Sequence, residues 1–150
     1  MIHTIIFDWK RTLYDPELKV LIVGAKELLQ LLRARHIPAV LIGKGGQEMY
    51  QEVERLGVKD YFLHMIFDEN KSQPSIYGRF VSQDSPKDTI IIGDRVRSEI
   101  EIGNKLGATT ILIKQGVFSS EIPTNIDQEP NYTVSSLSEC TQLLKRTFQV

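Results

Sequence analysis

Four apolar runs along this 150-residue chain are each followed by residues able to do chemistry. Ile2 to Phe7 ends at Asp8, and Ala39 to Ile42 runs into Gly43-Lys44-Gly45. Phe62 to Phe67 leads to Asp68 through Lys71, and Thr89 to Ile92 gives way to Gly93-Asp94. Asp8 and Asp94 offer the hard oxygen ligands that Mg²⁺ prefers. An ammonium beside them, Lys71, would hold an aspartate ionised and neutralise phosphate oxygens. An ionised aspartate can attack phosphorus and carry the phosphoryl group as an acyl phosphate. Each residue alone is weak evidence, because an Asp after a strand is most often a turn or helix cap. All three, each at the end of an expected strand, point together to phosphoryl transfer.

Helix-patterned segments separate the runs. Ala25 to Arg35 carries Leu28, Leu29, Leu31 and Leu32 among polar residues, and Pro38 ends that pattern before the next strand. Gln47 to Leu56 reads as a helix with Gly57 as its cap. Pro74 to Ser82 reads as a helix with proline in its first turn, and Arg97 to Leu106 as another that ends at Gly107. Thr110 to Ile113 is a fifth strand and Tyr132 to Val134 a candidate sixth. A helix over Leu137 to Thr147 closes the chain, with Ser136 or Ser138 available to cap it. Continuous apolar strands alternating with helices predict an α/β fold with a doubly wound parallel sheet of about five strands. In such sheets ligands sit outside the carboxyl ends of the strands, where the residues named above lie.

Composition narrows the function classes. Hydrophobic residues are 41% and charged residues 25% of the chain, ordinary for a globular protein, and its length suits one domain spanning residues 1–150. The formal net charge of −1 gives no overall basic field for nucleic acid, and no polybasic run faces anionic lipid. Cys140 is the one cysteine, so no intramolecular disulfide can form. The first residues lack the pattern of a signal peptide, and no apolar run approaches the ~20 residues of a membrane helix. A cytoplasmic location is expected. His3, His36 and His64 lack metal-ligand spacing and read as structural.

The segments that carry the chemistry resemble the motifs of the haloacid-dehalogenase-like (HAD) phosphohydrolases. Phe7-Asp8-Trp9-Lys10-Arg11-Thr12-Leu13 is similar to their first motif, Asp-x-Asp-x-Thr-Leu after an apolar strand. Lys71-Ser72-Gln73-Pro74-Ser75-Ile76-Tyr77 is similar to their Lys-Pro-x-Pro-x-x-Phe. Gly93-Asp94-Arg95-Val96-Arg97-Ser98-Glu99-Ile100 resembles their Gly-Asp-x-x-x-x-Asp-Ile. The match runs in register from residue 2 to 147. It implies a Rossmann-like sheet of order 5-4-1-2-3 and Mg²⁺ held by Asp8, the Lys10 carbonyl and Asp94, with Glu99 acting through water. It also implies Asp8 as nucleophile, Lys71 as its cationic partner, and Thr12, Gly43 and Lys44 on the substrate side.

Three departures bear on activity. The family's second aspartate, which protonates the leaving group and then activates water, is Lys10 here. The hydroxyl residue of the second motif is Gly43, although the amides of Lys44 and Gly45 can still bind phosphate oxygens. The last carboxylate is Glu99, one methylene longer than the usual Asp. Lys10 is a poor base with a reference pKa of ~10.4. It either donates a proton to a leaving oxygen or places its ammonium in the metal position, paired with Asp8 or Glu99. Trp9 is packing or a substrate platform. Lys44 is a phosphate contact or a solvated loop residue, and Arg95 and Arg97 are substrate contacts or surface charges. Neither inter-motif gap, 15–39 or 44–70, is long enough for a cap domain. The pocket should therefore be open, which in similar proteins goes with bulky substrates or with a neighbouring subunit covering the site. The expected function is a HAD-like, Mg²⁺-dependent phosphohydrolase acting through an aspartyl-phosphate on Asp8, slowed or altered by Lys10. The alternative is a non-catalytic relative that binds a phosphorylated ligand or a protein partner.

Overall fold

A computed structural model describes all of residues 1–150. Six parallel strands form the central sheet: β1 (Thr4–Phe7), β4 (Ala39–Gly43), β5 (Phe62–Phe67), β6 (Thr89–Gly93), β7 (Thr109–Ile113) and β8 (Tyr132–Val134). Their order is β5-β4-β1-β6-β7-β8. The five expected strands take the expected order, and β8 extends the sheet by pairing parallel with β7, Leu112 opposite Thr133. β1 is central, flanked by β4 and β6, with Ile6 opposite Val40 on one side and Ile91 on the other.

Residues alternate across the sheet, so each strand feeds two cores. Ile5, Phe7, Leu41, Ile90, Ile92 and Ile111 point to one face. There α1 (Ala25–Ala34), α2 (Gln47–Arg55) and α5 (Leu137–Phe148) cover them with Leu28, Leu32, Val53, Leu143 and Leu144. Ile6, Val40, Ile42 and Ile91 point to the other face, beneath Tyr77 of α3 (Pro74–Gly78) and Ile102 of α4 (Glu101–Lys105). Cys140 packs in the first core, and burial pushes its thiol up to about 12. Ser136 caps α5: its Oγ accepts from the Glu139 amide at 3.1 Å, while the Glu139 carboxylate accepts from the Ser135 amide at 3.1 Å.

Two local departures from the sequence reading matter for the site. A small antiparallel hairpin of β2 (Tyr14–Asp15) and β3 (Val20–Leu21) follows the first motif. The helix expected from Arg97 begins instead as a π-helical turn over Val96–Ile100, in which the Ile100 amide donates to the Arg95 carbonyl. Such single wide turns recur at functional sites because they re-aim side chains. The first gap holds the hairpin and α1, the second α2 and β5, so neither holds a cap. No helix is long and apolar enough to cross a membrane.

Candidate active site

Asp8 follows β1 at the centre of the sheet, its amide still donating to Ile92 of β6 at 3.0 Å. The chain then folds tightly back. The Trp9 carbonyl accepts from the amides of Thr12, Leu13 and Tyr14, and Arg11 takes a left-handed φ of 65°. This conformation is uncommon outside glycine and stores local strain beside the carboxylate. Gln115, in the loop after β7, fastens the turn by donating to the carbonyls of Arg11 (3.1 Å) and Thr12 (3.3 Å). No motif signalled Gln115, because a lone glutamine in a loop carries no spacing information. Thr12 is fully buried, and its hydroxyl donates to Asp8 Oδ2 at 3.0 Å. It therefore orients the carboxylate rather than meeting substrate, a correction to its expected role.

Asp8, Asp94 and Glu99 converge: their ligand oxygens all lie within 4.8 Å of one another, and all three residues are buried. Lys71 donates to Asp8 Oδ1 and stands 3.7 Å from Glu99. Burial opposes the charge on Asp8, but the Lys71 ammonium, together with the protonated carboxyls of Glu99 and Asp94 beside it, outweighs it and holds that carboxyl below its ordinary value. Burial likewise opposes the charge on Lys71, but Asp8 and Glu99 raise its ammonium pKa well above the ordinary value. Burial and the neighbouring charges of Asp8 and Glu99 push Asp94 up to about 9. Burial and Asp8 lift Glu99 to about 7. Were all three carboxyls ionised, one ammonium would leave two negative charges uncompensated in a buried space, which is why Asp94 and Glu99 hold their protons in the absence of a cation.

That arrangement fits a divalent cation with oxygen ligands. Asp94 Oδ2 and both Glu99 oxygens are buried without a hydrogen-bond partner, the orphan acceptors a hard cation would satisfy. The Lys10 carbonyl accepts no main-chain hydrogen bond either. The Glu99 carboxylate, one methylene longer than the family's Asp, converges on the same space as the two aspartates. Gly93 makes room for it: a Cβ there would lie 2.7 Å from Glu99 Cγ.

Lys10 does not fill the metal position. Its side chain forms no ion pair with Asp8 or Glu99; the ammonium paired with both is that of Lys71. Lys10 lines the pocket mouth, close enough for its charge to help lower the carboxyl of Glu48 on α2. Trp9 is fully buried, stacked on Tyr14 at 4.9 Å and edge-on to Phe67 at 6.3 Å, and is thus packing rather than a platform. Gly43 is dictated by the same cluster, since a Cβ there would overlap the Phe67 ring and meet Trp9 Cβ at 3.0 Å. Gly43 therefore contributes only main chain, and the family's hydroxyl could not return without moving Phe67. The amides of Lys44 and Gly45 donate to no main-chain carbonyl, while the Lys44 side chain is exposed on the pocket wall. Arg95 is committed to Glu121 at 3.1 Å and lies over the Phe118 ring at 3.9 Å, whereas Arg97 is exposed and without an acidic partner.

Asp8, Asp94, Glu99 and Lys71, with Lys10, Lys44, Arg95 and Arg97, line a cavity of about 480 Å³ at the carboxyl ends of the strands. A larger one of about 640 Å³, near Met1, Ile2, Ile37 and Val150 at the amino ends, is lined by no Asp or Glu side chain. The HAD-hydrolase-like family profile matches residues 41–140, two thirds of the chain. The chain belongs to the HAD-like hydrolase family. This HAD-like chain is 22% identical, over 127 residues, to a glyceraldehyde 3-phosphate phosphatase of Pyrococcus furiosus, covering 81% of itself and 52% of that protein. It spans about half the length of the curated relatives it matches. A HAD-superfamily hydrolase from Ehrlichia chaffeensis superposes with a TM-score of 0.73 at 15% identity, over 99% of both chains. A structure described as a HAD-hydrolase of Bacillus subtilis bound to magnesium superposes with a TM-score of 0.67 at 21% identity, over 84% of this chain and 57% of that one. At these identities the structural likeness speaks for the fold.

Proposed function

We propose that this HAD-like protein is an Mg²⁺-dependent phosphohydrolase that works through an aspartyl-phosphate on Asp8, with its second half-reaction impaired. The convergence of Asp8, Asp94 and Glu99, with Lys71 bonded to the nucleophile, carries this reading. Mg²⁺ held by these carboxylates and the Lys10 carbonyl would supply Lewis-acid stabilisation of phosphoryl oxygens. Lys71 and Thr12 aim an ionised Asp8 oxygen at phosphorus. As the Asp8–phosphorus bond forms, the phosphorus–oxygen bond to the leaving group breaks, and the departing oxygen takes a proton. Lys10 at the mouth is a cation able to give that proton. The amides of Lys44 and Gly45 steady the phosphoryl oxygens. Hydrolysis of the acyl phosphate then needs a base to deprotonate water, and a protonated lysine cannot be one.

The test is turnover of p-nitrophenyl phosphate in Mg²⁺ by wild type, Lys10→Asp, and Lys10→Asp combined with Asp8→Asn. Lys10→Asp should raise turnover by at least ~10²-fold, the lower end of what a general base contributes. Adding Asp8→Asn should abolish the gain. A folded, Mg²⁺-binding Lys10→Asp protein no faster than wild type would clear Lys10 of the defect. A fast wild type that Lys10→Asp slows would make Lys10 an adapted catalytic acid. The non-catalytic reading draws support from Phe67, whose ring takes the space of the missing hydroxyl. It gains if both wild type and Lys10→Asp are inert while Mg²⁺ still binds.

A further inference from the structure

The cavity at the carboxyl ends of the strands has two zones of opposite charge. Its floor carries Asp8, Asp94, Glu99 and Lys71. Its mouth carries five cations, Lys10, Arg11, Lys44, Arg95 and Arg97, against one acid, Glu69. Only Phe118 among the lining residues is apolar, so the walls offer no surface for an apolar leaving group. A volume of about 480 Å³ is that of a small-molecule site and exceeds what a phosphoryl group alone would need.

The mouth cations are not equivalent. Arg11 is tied to Glu17 at 3.1 Å and Arg95 to Glu121 at 3.1 Å, and both guanidinium groups lie over the Phe118 ring. Lys10 has Glu48 nearby. Lys44 and Arg97 are exposed and form no salt bridge; the acid that feels the charge of Arg97, Glu101, is already held by Gln128 at 2.7 Å and Lys105 at 3.2 Å. Lys44 stands in the loop after β4 and Arg97 in the π turn that follows β6; these two strands flank β1, so the two cations bracket Asp8 from either side. A phosphoryl group at Asp8 is already served at depth by Lys71, the amides of Lys44 and Gly45, and the cation the carboxylates would hold. The two unpartnered cations are therefore surplus to a single phosphoryl group.

From this we infer that Lys44 and Arg97 form a second anion subsite, and that the substrate is a phosphoester whose leaving group carries another anionic group, a carboxylate or a second phosphate. The inference rests on the phosphohydrolase reading for the chemistry but not for the binding. Phosphonates, whose carbon–phosphorus bond is not cleaved by phosphoryl transfer, separate the two. In Mg²⁺, calorimetric titration compares phosphonopropionate and propylene diphosphonate with propylphosphonate, which has a neutral tail. At least one charged-tail ligand should bind about tenfold tighter, the contribution of one charge-assisted hydrogen bond. The better of the two identifies the second group as carboxylate or phosphate. Lys44→Gln combined with Arg97→Gln should bring the ratio to within about twofold of unity, and Arg97→Lys should keep most of it. Both side chains are exposed, and the emission of the single, buried Trp9 reports that the variants fold. Equal affinities in wild type, no detectable binding of any phosphonate, or a ratio unmoved by the double substitution would overturn the subsite. Selective binding without turnover of any phosphoester would leave the subsite and sink the phosphohydrolase. Turnover without selectivity would do the reverse.

Discussion

Lys71 bridges Asp8 and Glu99, and this leaves Asp94 as the carboxyl with the least compensation at the site. Two outcomes follow for Asp94→Asn. Titration with Mg²⁺ should lose most of the heat seen for wild type; identical heats would remove Asp94 from the metal site. The second outcome concerns stability without metal. Asp94 and Glu99 have folded pKa values raised to about 9 and about 7, above the ordinary carboxylate values of an unfolded chain. The folded protein thus holds protons that the unfolded chain releases, so the contribution of these two groups to metal-free stability is fullest below about pH 4 and is lost as pH rises towards 9. Thermal melts of metal-free wild type should decline across that window. Asp94→Asn should flatten the decline and raise the melting temperature at pH 8, whereas a curve as steep as wild type's would mean that Asp94 is not the strained group. The placement of Asp8 at the centre of the site was legible in the sequence because it ends an apolar run. The role of Thr12 was not, because burial decides whether a threonine meets substrate or braces its neighbour.

The elements were legible in proportion to their apolar patterning. β1, β4, β6 and β7 are mostly apolar and were placed to within a residue or two. The β2–β3 hairpin escaped notice because two-residue strands have no alternation to detect. The π turn over Val96–Ile100 escaped because its sequence reads as ordinary helix. Only the packing of Glu99 over Gly93 shows why the wider turn is kept. Gly93→Ala tests that link. The added methyl group meets Glu99 Cγ at 2.7 Å, so it should swing the carboxylate away and lower Mg²⁺ affinity about tenfold. Unchanged affinity in a folded variant would show that Glu99 is not a direct ligand. Gln115→Ala removes the clamp on the Arg11 and Thr12 carbonyls from 103 to 104 residues away. It should lower kcat more than it raises KM for p-nitrophenyl phosphate in the Lys10→Asp background. A pure KM effect would assign Gln115 to substrate binding instead.

Across the whole chain, one sheet feeds two helical layers, and neither inter-motif gap holds a cap. Such a molecule should unfold in one two-state calorimetric transition, and two resolved transitions would contradict a single cooperative unit. An open cavity is also wetter than a capped one, which weakens its electrostatics and leaves charged rim groups to select the substrate. On the proposed reading the chemistry reduces to unequal half-reactions: Asp8, Lys71 and the carboxylate cluster would serve phosphorylation, while a lysine stands where the base for dephosphorylation would be. Intact-mass spectrometry after incubation with acetyl phosphate and Mg²⁺ tests this most directly, because that donor needs no leaving-group protonation. Wild type should gain the mass of one phosphoryl group and hold it, Lys10→Asp should turn it over without accumulation, and Asp8→Asn should gain nothing. A wild type that never gains the mass, or that gains it equally with Asp8→Asn, would contradict the assignment of Asp8 as a nucleophile left without its base.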